Sequence, residues 1–333
     1  MAPLDLTAVS PAQGGRWQNR RVDHLTDRIA TAFGLGRAIG DLTPVARGEQ
    51  GQVWRLDTEV GSYAVKKSFE PQTEAEAEAD VSYQEAILAE STVPMPRPIR
   101  STSGSVLAVA GEQVRVYEWI DLLPTDTGFD PTAVGQTVAS IHRVRHEPAR
   151  PVHPWYTEPV GTGTWQDLSR RVTASKAPFA EGFAAAVPTL IELEALIEPP
   201  AYLQNCHRDL FADNILPMAG GGICVIDWEN CGLEDPSQEL GVVIFDFAGG
   251  NPERSKRLHD AYVEAGGPGR LTGRGSFSML IAQFGHFYES AANEWLDPGS
   301  SQEDRAHAIG RFDELFNNPL TMDRIDEILD SVH

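Results

Sequence analysis

The segment between residues 207 and 229 contains the side chains best suited to chemistry in this chain. His207, Asp209 and Asn214 form an H-x-D-x-x-x-x-N pattern, and Asp227 follows thirteen residues after Asn214. Phosphoryl transfer needs a carboxylate that orients the attacking hydroxyl, and it needs oxygen ligands for a metal ion on the phosphates. Asp209 fits the first role, and Asn214 and Asp227 fit the second. Each could alone be a turn or loop residue, but their linkage favours the chemical interpretation.

A second group of candidates lies in the N-terminal third of the chain. Lys66 falls on the second strand of a predicted hairpin, where it could contact phosphates or face solvent. A capping-box sequence at Thr73 predicts the start of a helix. On that helix Glu85 shares one side with Val81 and Leu88, at a spacing that indicates an apolar stripe. Because an unpaired carboxylate is costly there, we expect Glu85 to pair with Lys66.

Two glycines punctuate the first β-like run of the same hairpin. Gly48 and Gly51 flank Glu49-Gln50 within residues 45–57. A glycine-rich turn can approach phosphate groups closely, although a plain turn explains two glycines nearly as well. The loop therefore supports the phosphate interpretation without establishing it.

The elements that must position these residues change in character along the chain. Short β-like runs cover residues 45–57, 62–69, 106–110 and 113–120, with one helix to about residue 90 and an extended proline connector at 93–98. Helical patterns follow at 132–145, 165–198 and from 236, with a loop at 146–164 and a β-like segment at 201–229. The order predicts an α+β fold with an N-terminal lobe at 1–117 and a C-terminal lobe at 121–333, joined at residues 118–120.

Composition limits the classes of partner and compartment. The 333 residues carry a net charge of −21. This charge opposes binding to nucleic acid and anionic membranes, and it attracts cations. A need for solubility alone would also explain an excess of acidic residues. The sequence contains no run of about 18 apolar residues, so it predicts no membrane span. Residues 1–20 do not resemble a signal peptide. An odd count of three cysteines predicts reduced thiols, so we expect a cytoplasmic protein.

Taken in order, the motifs resemble the aminoglycoside phosphotransferase family, the antibiotic- and metabolite-kinase branch of the protein-kinase-like fold. The resemblance spans roughly residues 40 to 250 and rests on an ordered series rather than on any single motif. The series comprises Gly48 to Arg55, Ala64-Val65-Lys66, Glu85, the connector at 93–98, Tyr117-Glu118-Trp119-Ile120, Gly135 to His142, His207 to Asn214, and Ile226-Asp227-Trp228-Glu229.

The resemblance implies a bilobal kinase-like fold, with an antiparallel N-lobe sheet carrying one main helix and a mostly helical C-lobe. It implies ATP as the phosphate donor, with GTP not excluded, and Mg²⁺ as the metal ion. Lys66 would then bind the α- and β-phosphates and pair with Glu85, while backbone groups of the hinge residues Glu118 and Ile120 would meet the nucleobase. Asp209 would be the catalytic carboxylate, and the metal ligands would be Asn214 and Asp227.

The chain departs from the family pattern at two positions. Members commonly have a glycine after the loop histidine, whereas this chain has Arg208, which we interpret as structural. Where an Asp-Leu-Ala sequence usually begins a helix, this chain has Glu239-Leu240-Gly241, so no role is assigned to Glu239 from the motif.

The acceptor is the part of the function that the motifs leave open. Carboxylates suit an ammonium-bearing acceptor such as an aminoglycoside, although they could equally belong to an acidic surface. The acceptor-lining candidates are Glu229, Glu234, Asp235, Glu289 and Trp295. We predict an ATP-dependent kinase that moves the γ-phosphate to a hydroxyl of a small molecule, an aminoglycoside or related antibiotic, and so confers antibiotic resistance. We expect a monomer or homodimer. The alternatives are a kinase of a sugar, amino alcohol or macrolide, and a catalytically silent nucleotide-binding scaffold. The compact segment after Asp227 disfavours a protein kinase.

Overall fold

The computed structural model of the chain describes residues 19–47, 51–69, 71–109, 113–148 and 150–333. Contacts divide the described residues into two compact units. The sheet unit contains residues 19–126 and 213–231, and the helical unit contains residues 127–212 and 232–333.

An antiparallel sheet forms most of the sheet unit. Its strands are β1 (Thr43–Arg47), β2 (Gly51–Asp57), β3 (Ser62–Ser68), β4 (Pro98–Ile99), β5 (Ala108–Val109) and β6 (Gln113–Glu118). The strand order is β1-β2-β3-β6-β4, and β5 pairs with β6. Val65 of β3 lies opposite Val116 of β6, and both side chains are buried. The predicted strand–turn–strand pattern and the later strand pair are therefore present.

Two helices belong to the same unit. Helix α1 (Asn19–Ala32) packs through Ile29 against Leu56 and Val65 of the sheet. Helix α2 (Glu74–Glu90) begins at the predicted capping box, since the Thr73 hydroxyl accepts from the Glu76 N–H and the Glu76 carboxylate accepts from the Thr73 N–H.

A later stretch of chain returns to the sheet unit. It contains β8 (Ile215–Pro217), β9 (Ile223–Val225) and a 3-10 turn at Trp228–Asn230. Backbone hydrogen bonds from Val225 to Pro94, from Leu123 to Pro217 and from Ala219 to Asp121 attach this stretch to the sheet unit. Residues 213–231 thus fold with the described residues between 19 and 126, whereas the sequence placed them with residues 121–333.

Helices dominate the helical unit. They are α3 (Pro131–His142), α4 (Pro154–Thr157), α5 (Thr162–Ser175), α6 (Ala180–Glu194), α7 (Pro236–Ala248), α8 (Pro252–Glu264), α9 (Ser278–Leu296), α10 (Gln302–Asn317) and α11 (Met322–Val332). A strand pair, β7 (Gln204–Cys206) with β10 (Gly232–Glu234), lies beside them. The loop predicted at 146–164 contains α4 and the start of α5. Within the described residues, no helix is long and apolar enough to cross a membrane. The α+β prediction is confirmed.

Candidate active site

The β8–β9 hairpin brings Asn214 and Asp227 to one end. Ile215 and Val225 are register partners, and the Ile226 N–H donates to the Asn214 carbonyl at 2.9 Å. Asn214 therefore directly precedes β8, and Asp227 follows just beyond β9. The backbone of Asp227 has a φ of 63°, in the left-handed region that is unfavourable for a non-glycine residue. The two predicted metal ligands thus lie together, while their roles stay predictions.

The Lys66 ammonium lies between two carboxylates. It donates to Asp227 Oδ1 at 2.6 Å and also to Glu229 Oε2. Burial disfavours the ammonium, but Asp227 and Glu229 outweigh that effect and raise the pKa of Lys66. Burial alone would likewise raise the pKa of Asp227, but Lys66 overcomes it and holds that pKa at about 2. Lys66 and Asp227 therefore form a firmly ionised pair.

Glu229 is part of this charged group rather than of an exposed acceptor wall. It is 4% exposed, and its second oxygen lies 3.4 Å from the Tyr117 hydroxyl and 3.8 Å from Arg115 Nη1. Burial raises the pKa of Glu229, and the neighbouring Asp227 charge raises it further against the effect of Lys66. The assignment of Glu229 as an acceptor-lining residue is corrected accordingly.

Glu85 does not pair with Lys66 as the sequence predicted. Its carboxylate accepts from Arg100 Nε at 2.9 Å and from Arg100 Nη2 at 2.8 Å. The buried face of α2 contains Ala77, Asp80, Val81, Gln84 and Ile87, so the helix is rotated relative to the predicted stripe. Glu85 lies at the border of that face, where Arg100 also binds Glu78.

Arg115 and Asp80 were missed by the sequence reasoning. Arg115 Nη2 donates to Asp80 Oδ2 at 2.8 Å, and these two residues are 3% and 1% exposed. The alternation of Val114, Arg115 and Val116 placed Arg115 on the face opposite the two valines, where a solvated arginine is the usual case, so the strand alone did not indicate its burial. Its partner Asp80 lies on a helix 35 residues earlier in the chain.

The turn and hinge residues have structural contacts that bear on nucleotide binding. Gly48 lies outside the described residues. A Cβ at Gly51 would approach the Lys67 carbonyl oxygen to 2.5 Å, so the close approach of β3 requires glycine there. The Glu118 N–H donates to the Arg97 carbonyl at 2.9 Å, so this N–H already has a backbone partner, and the role of Glu118 in nucleobase binding stays a prediction. Ile120 follows β6 and is half-buried.

In the helical unit, backbone hydrogen bonds fix the loop on both sides of Asp209. The Arg208 N–H donates to Glu239 Oε1, and the Ala212 N–H donates to Asp246 Oδ2 at 2.7 Å. Gln283 of α9 donates to the Arg208 carbonyl at 3.2 Å. Asp209 itself is half-buried. Two acids of α7 and one amide of α9 therefore hold the predicted catalytic loop.

Glu239 is the centre of a buried polar group that the sequence reasoning did not identify. Its side chain is 0% exposed, and its carboxylate is 2.7 Å from His142 Nε2. The other ring nitrogen of His142 is 2.8 Å from the Tyr262 hydroxyl. Burial opposes ionisation, but the hydrogen bond from His142 outweighs it and lowers the pKa of Glu239. The glutamate that replaces the family's usual aspartate is thus held ionised beneath the loop.

The side chain of Arg208 contacts residues of its own unit, and its predicted structural role stays a prediction. Its φ of 65° is in the region that favours glycine, the residue that the family commonly has there. The guanidinium lies 4.7 Å from the centre of the Tyr156 ring and donates to the Pro151 carbonyl at 3.1 Å. A Cβ at Gly232 would lie 2.5 Å from the guanidinium carbon, so Gly232 provides its space.

The remaining acceptor candidates differ in exposure. Glu234 is 0% exposed, and burial raises its pKa to about 8. Asp235 is 4% exposed and caps α7 by accepting from the Ser237 N–H. These two are corrected to structural residues. Glu289 and Trp295 are half-buried; the first lies 3.0 Å from His286 Nδ1, and the second donates to Ser175 Oγ at 3.0 Å.

One other cluster has metal-ligand residue types. His142, Cys206 and Glu239 place one ligand atom each within 4.8 Å of one another. Both ring nitrogens of His142 already have hydrogen-bond partners, and burial raises the pKa of the Cys206 thiol. The carboxylate and amide oxygens of Asp227 and Asn214 suit a hard divalent cation better.

The family assignment follows from a match that extends over both units. Residues 41–276, more than half of the chain, match the model of the phosphotransferase enzyme family. The chain belongs to this family. The predictions of the family and of a phosphotransferase enzyme are confirmed. No curated protein sequence matches the chain.

Several solved phosphotransferase structures share the fold. Spectinomycin phosphotransferase with ADP and spectinomycin is 16% identical with a TM-score of 0.67, covering 97% of this chain and 99% of its own. Amicoumacin kinase with AMP-PNP and Ca²⁺ is 14% identical with a TM-score of 0.57, covering 92% and 97%. A macrolide 2'-phosphotransferase from Brachybacterium faecium is 18% identical with a TM-score of 0.55, covering 90% and 99%. The predicted kinase-like fold class is confirmed.

Proposed function

We propose that this phosphotransferase moves the γ-phosphate of ATP to a hydroxyl of a small molecule that carries amino groups. The observation that carries the proposal is the ionised Lys66–Asp227 pair beside Asn214, at the end of one hairpin. A cation flanked by oxygen donors is the arrangement that binds a metal-bound triphosphate in this class of enzyme. Structural neighbours in complex with ADP and with AMP-PNP and Ca²⁺ support the nucleotide part.

The residues present fit a hard divalent cation. Asp227 and Asn214 offer carboxylate and amide oxygens, the donors that Mg²⁺ prefers, and the Lys66 ammonium already occupies a position between the Asp227 and Glu229 carboxylates. When bound, Mg²⁺ would neutralise charge on the phosphates. Lys66 would bind phosphate oxygens in place of the carboxylates.

Asp209 would orient the acceptor hydroxyl and accept its proton. The hydrogen bonds to Arg208 and Ala212 fix the loop before a ligand binds, which supports catalysis by positioning. Asp209 is half-buried rather than fully buried, which is compatible with access by an acceptor. The transfer would be direct, from the triphosphate to the acceptor oxygen, without a phosphorylated enzyme.

Residues next to this loop support an acceptor with amino groups. Phe287 of α9 lies against Phe211, with ring centres 5.9 Å apart, and the preceding His286 lies 3.0 Å from the Glu289 carboxylate of the same helix. The Trp155 ring stacks on His286 at 4.9 Å. An indole face and a carboxylate are the groups that recognise ammonium ions. Spectinomycin and amicoumacin, bound by two structural neighbours, support an antibiotic acceptor.

A phosphate-transfer assay tests the proposal. Purified protein is incubated with γ-labelled ATP, Mg²⁺ and one acceptor at a time from spectinomycin, amicoumacin, a macrolide, an aminopropanol and a simple sugar. We expect labelled product with an amino-bearing acceptor, and a loss of roughly 10²- to 10⁴-fold in Asp209→Asn.

Asp260→Asn is the matched control, because that carboxylate pairs with Lys256 on the exposed side of α8. It should transfer phosphate at the wild-type rate. Transfer only to the sugar would contradict the amino-bearing class. Nucleotide binding without transfer to any acceptor would favour the silent scaffold.

A further inference from the structure

Arg115 carries a buried positive charge that the proposed transfer does not use. It lies on β6 directly opposite Lys66 on β3. Register partners in an antiparallel pair extend from the same face of the sheet, so both cations enter one interior region of the sheet unit. Only 3% of Arg115 is exposed. Two adjacent buried cations need compensating acids.

A continuous series of charged groups provides that compensation. Asp80 of α2 accepts from Arg115 at 2.8 Å, Arg115 lies 3.8 Å from Glu229, and Glu229 accepts from Lys66. Lys66 also donates to Asp227 at 2.6 Å. The series alternates in sign and contains three carboxylates and two cations. Glu229 is the member that both cations share.

Nucleotide binding would disturb this series at a defined point. If Lys66 binds phosphate oxygens, it must give up part of its contact with Glu229. Glu229 is 4% exposed, and a buried carboxylate that loses its partner is strongly destabilising. Arg115 is a second cation next to it, and the Tyr117 hydroxyl adds a hydrogen-bond donor at 3.4 Å.

Helix α2 fixes Arg115 in this position. Arg115 Nη2 donates to Asp80 at 2.8 Å and to Gln72 Oε1, just before the helix, at 2.7 Å. Asp80 is 1% exposed. An ionic link between the helix and strand β6 therefore runs through Asp80 and Arg115, whereas Glu85 of the same helix binds Arg100, which directly follows β4.

We propose that Arg115 is a positioning residue for nucleotide binding, which holds Glu229 in place while Lys66 transfers its hydrogen bonds to a phosphate. The inference rests on the proposed function, because it takes a metal-bound nucleotide as the ligand. Arg115 acts through Glu229 and need not touch the nucleotide. Without Arg115, Lys66 would remain bound to Glu229 and would compete with the phosphates.

A double-mutant cycle on nucleotide affinity tests this role. Binding of AMP-PNP with Mg²⁺ is measured by calorimetry for wild type, Arg115→Met, Glu229→Gln and the double variant. We expect Arg115→Met to weaken binding roughly 10- to 100-fold, because an ion-pair partner of the buried Glu229 carboxylate is lost. In the Glu229→Gln background the same change should have little effect, since the carboxylate that Arg115 holds is absent. Arg115→Lys should recover part of the affinity.

Arg100→Met is the matched control. Arg100 also binds two acids of α2, Glu78 and Glu85, but its partners do not include the Lys66 carboxylates. The affinity of the Arg100→Met variant for AMP-PNP with Mg²⁺ should equal that of wild type. An Arg115→Met effect that is the same in both backgrounds, or no effect at all, would overturn the inference.

The test also covers two other outcomes: an Arg115→Met variant that does not fold and a wild-type protein that binds no nucleotide. If Arg115→Met does not fold by circular dichroism, Arg115→Lys is measured in both backgrounds instead. Weaker binding only when Glu229 is intact supports the inference, and unchanged binding overturns it. A wild-type protein that binds no nucleotide would contradict the proposed function itself. Wild-type binding with an additive cycle would contradict the role of Arg115 alone.

Discussion

The sheet unit and the helical unit hold their candidate functional carboxylates in different ways. In the sheet unit, Asp227 is held by the side-chain charge of Lys66 at 2.6 Å. In the helical unit, the loop that carries Asp209 is held through backbone N–H groups, which donate to Glu239 and Asp246 of α7. The first arrangement depends on charges that a ligand can exchange. The second depends on hydrogen bonds within the fold.

This difference fits a division between binding and chemistry. A metal-bound nucleotide brings its own charges, so a site held by ion pairs can rearrange its partners when the ligand enters. A group that orients a hydroxyl must keep its position before and after binding, because misplacement lowers the rate. Backbone anchors on both sides of Asp209 provide that constancy. Substitutions in the sheet unit and in the helical unit therefore test the two arrangements separately.

The largest effect on stability is expected from removing the anchor beneath the Asp209 loop. Glu239→Ala would leave the Arg208 N–H and His142 without their buried partner. We expect a loss of about 3–5 kcal/mol in the free energy of unfolding, measured by urea denaturation. Glu264→Ala, at the exposed end of α8, is the control and should change it by less than about 0.5 kcal/mol. A loss below about 1 kcal/mol in Glu239→Ala would contradict the anchoring role.

A smaller, pH-dependent effect is expected at Glu234. Burial raises its pKa from 4.5 to about 8, so the folded chain retains a proton that the unfolded chain releases. The contribution of Glu234 to folding stability is therefore fully present below pH 4.5. It is lost as the pH rises through 8, by at most about 1.4 kcal/mol per pH unit.

Glu234→Gln should remove this dependence. Unfolding by urea at pH 5.5 and at pH 8.5 should show a smaller loss of stability with pH in the variant than in wild type. Glu264→Gln should keep the wild-type dependence. Equal losses in Glu234→Gln and wild type would show that Glu234 is ionised in the folded protein.

The smallest effect is expected at Glu85. Its carboxylate binds Arg100 at 2.8 Å rather than Lys66, and the Arg100 side chain is 33% exposed. Glu85→Gln should lower stability by roughly 0–1 kcal/mol and leave the affinity for AMP-PNP with Mg²⁺ unchanged. A marked loss of nucleotide affinity would instead support the Lys66–Glu85 pair that the sequence predicted.

The parts of the site that sequence reasoning predicted depend on local order. Asn214 and Asp227 flank two short strands that pair with each other, so their proximity follows from a hairpin. The capping box of α2 is likewise a pattern within four residues. Such features need no knowledge of distant contacts.

The parts that sequence reasoning missed depend on pairs far apart in the chain. Arg115 meets Asp80 across 35 residues, and His142 meets Glu239 across 97. Their partners are fixed only when helix and sheet pack. The error at Glu85 arose from the rotation of α2: its buried face includes Asp80 and Gln84, and an apolar pattern of three residues could not establish that face.

The division between the two units is tested most directly by one pair of binding measurements. Calorimetric titration of AMP-PNP with Mg²⁺ compares Asp227→Asn and Asp209→Asn with wild type. We predict that Asp227→Asn weakens binding roughly tenfold or more, whereas Asp209→Asn binds like wild type. Equal affinity in Asp227→Asn, or a comparable loss in Asp209→Asn, would contradict the assignment of nucleotide binding to the sheet unit and of hydroxyl orientation to Asp209.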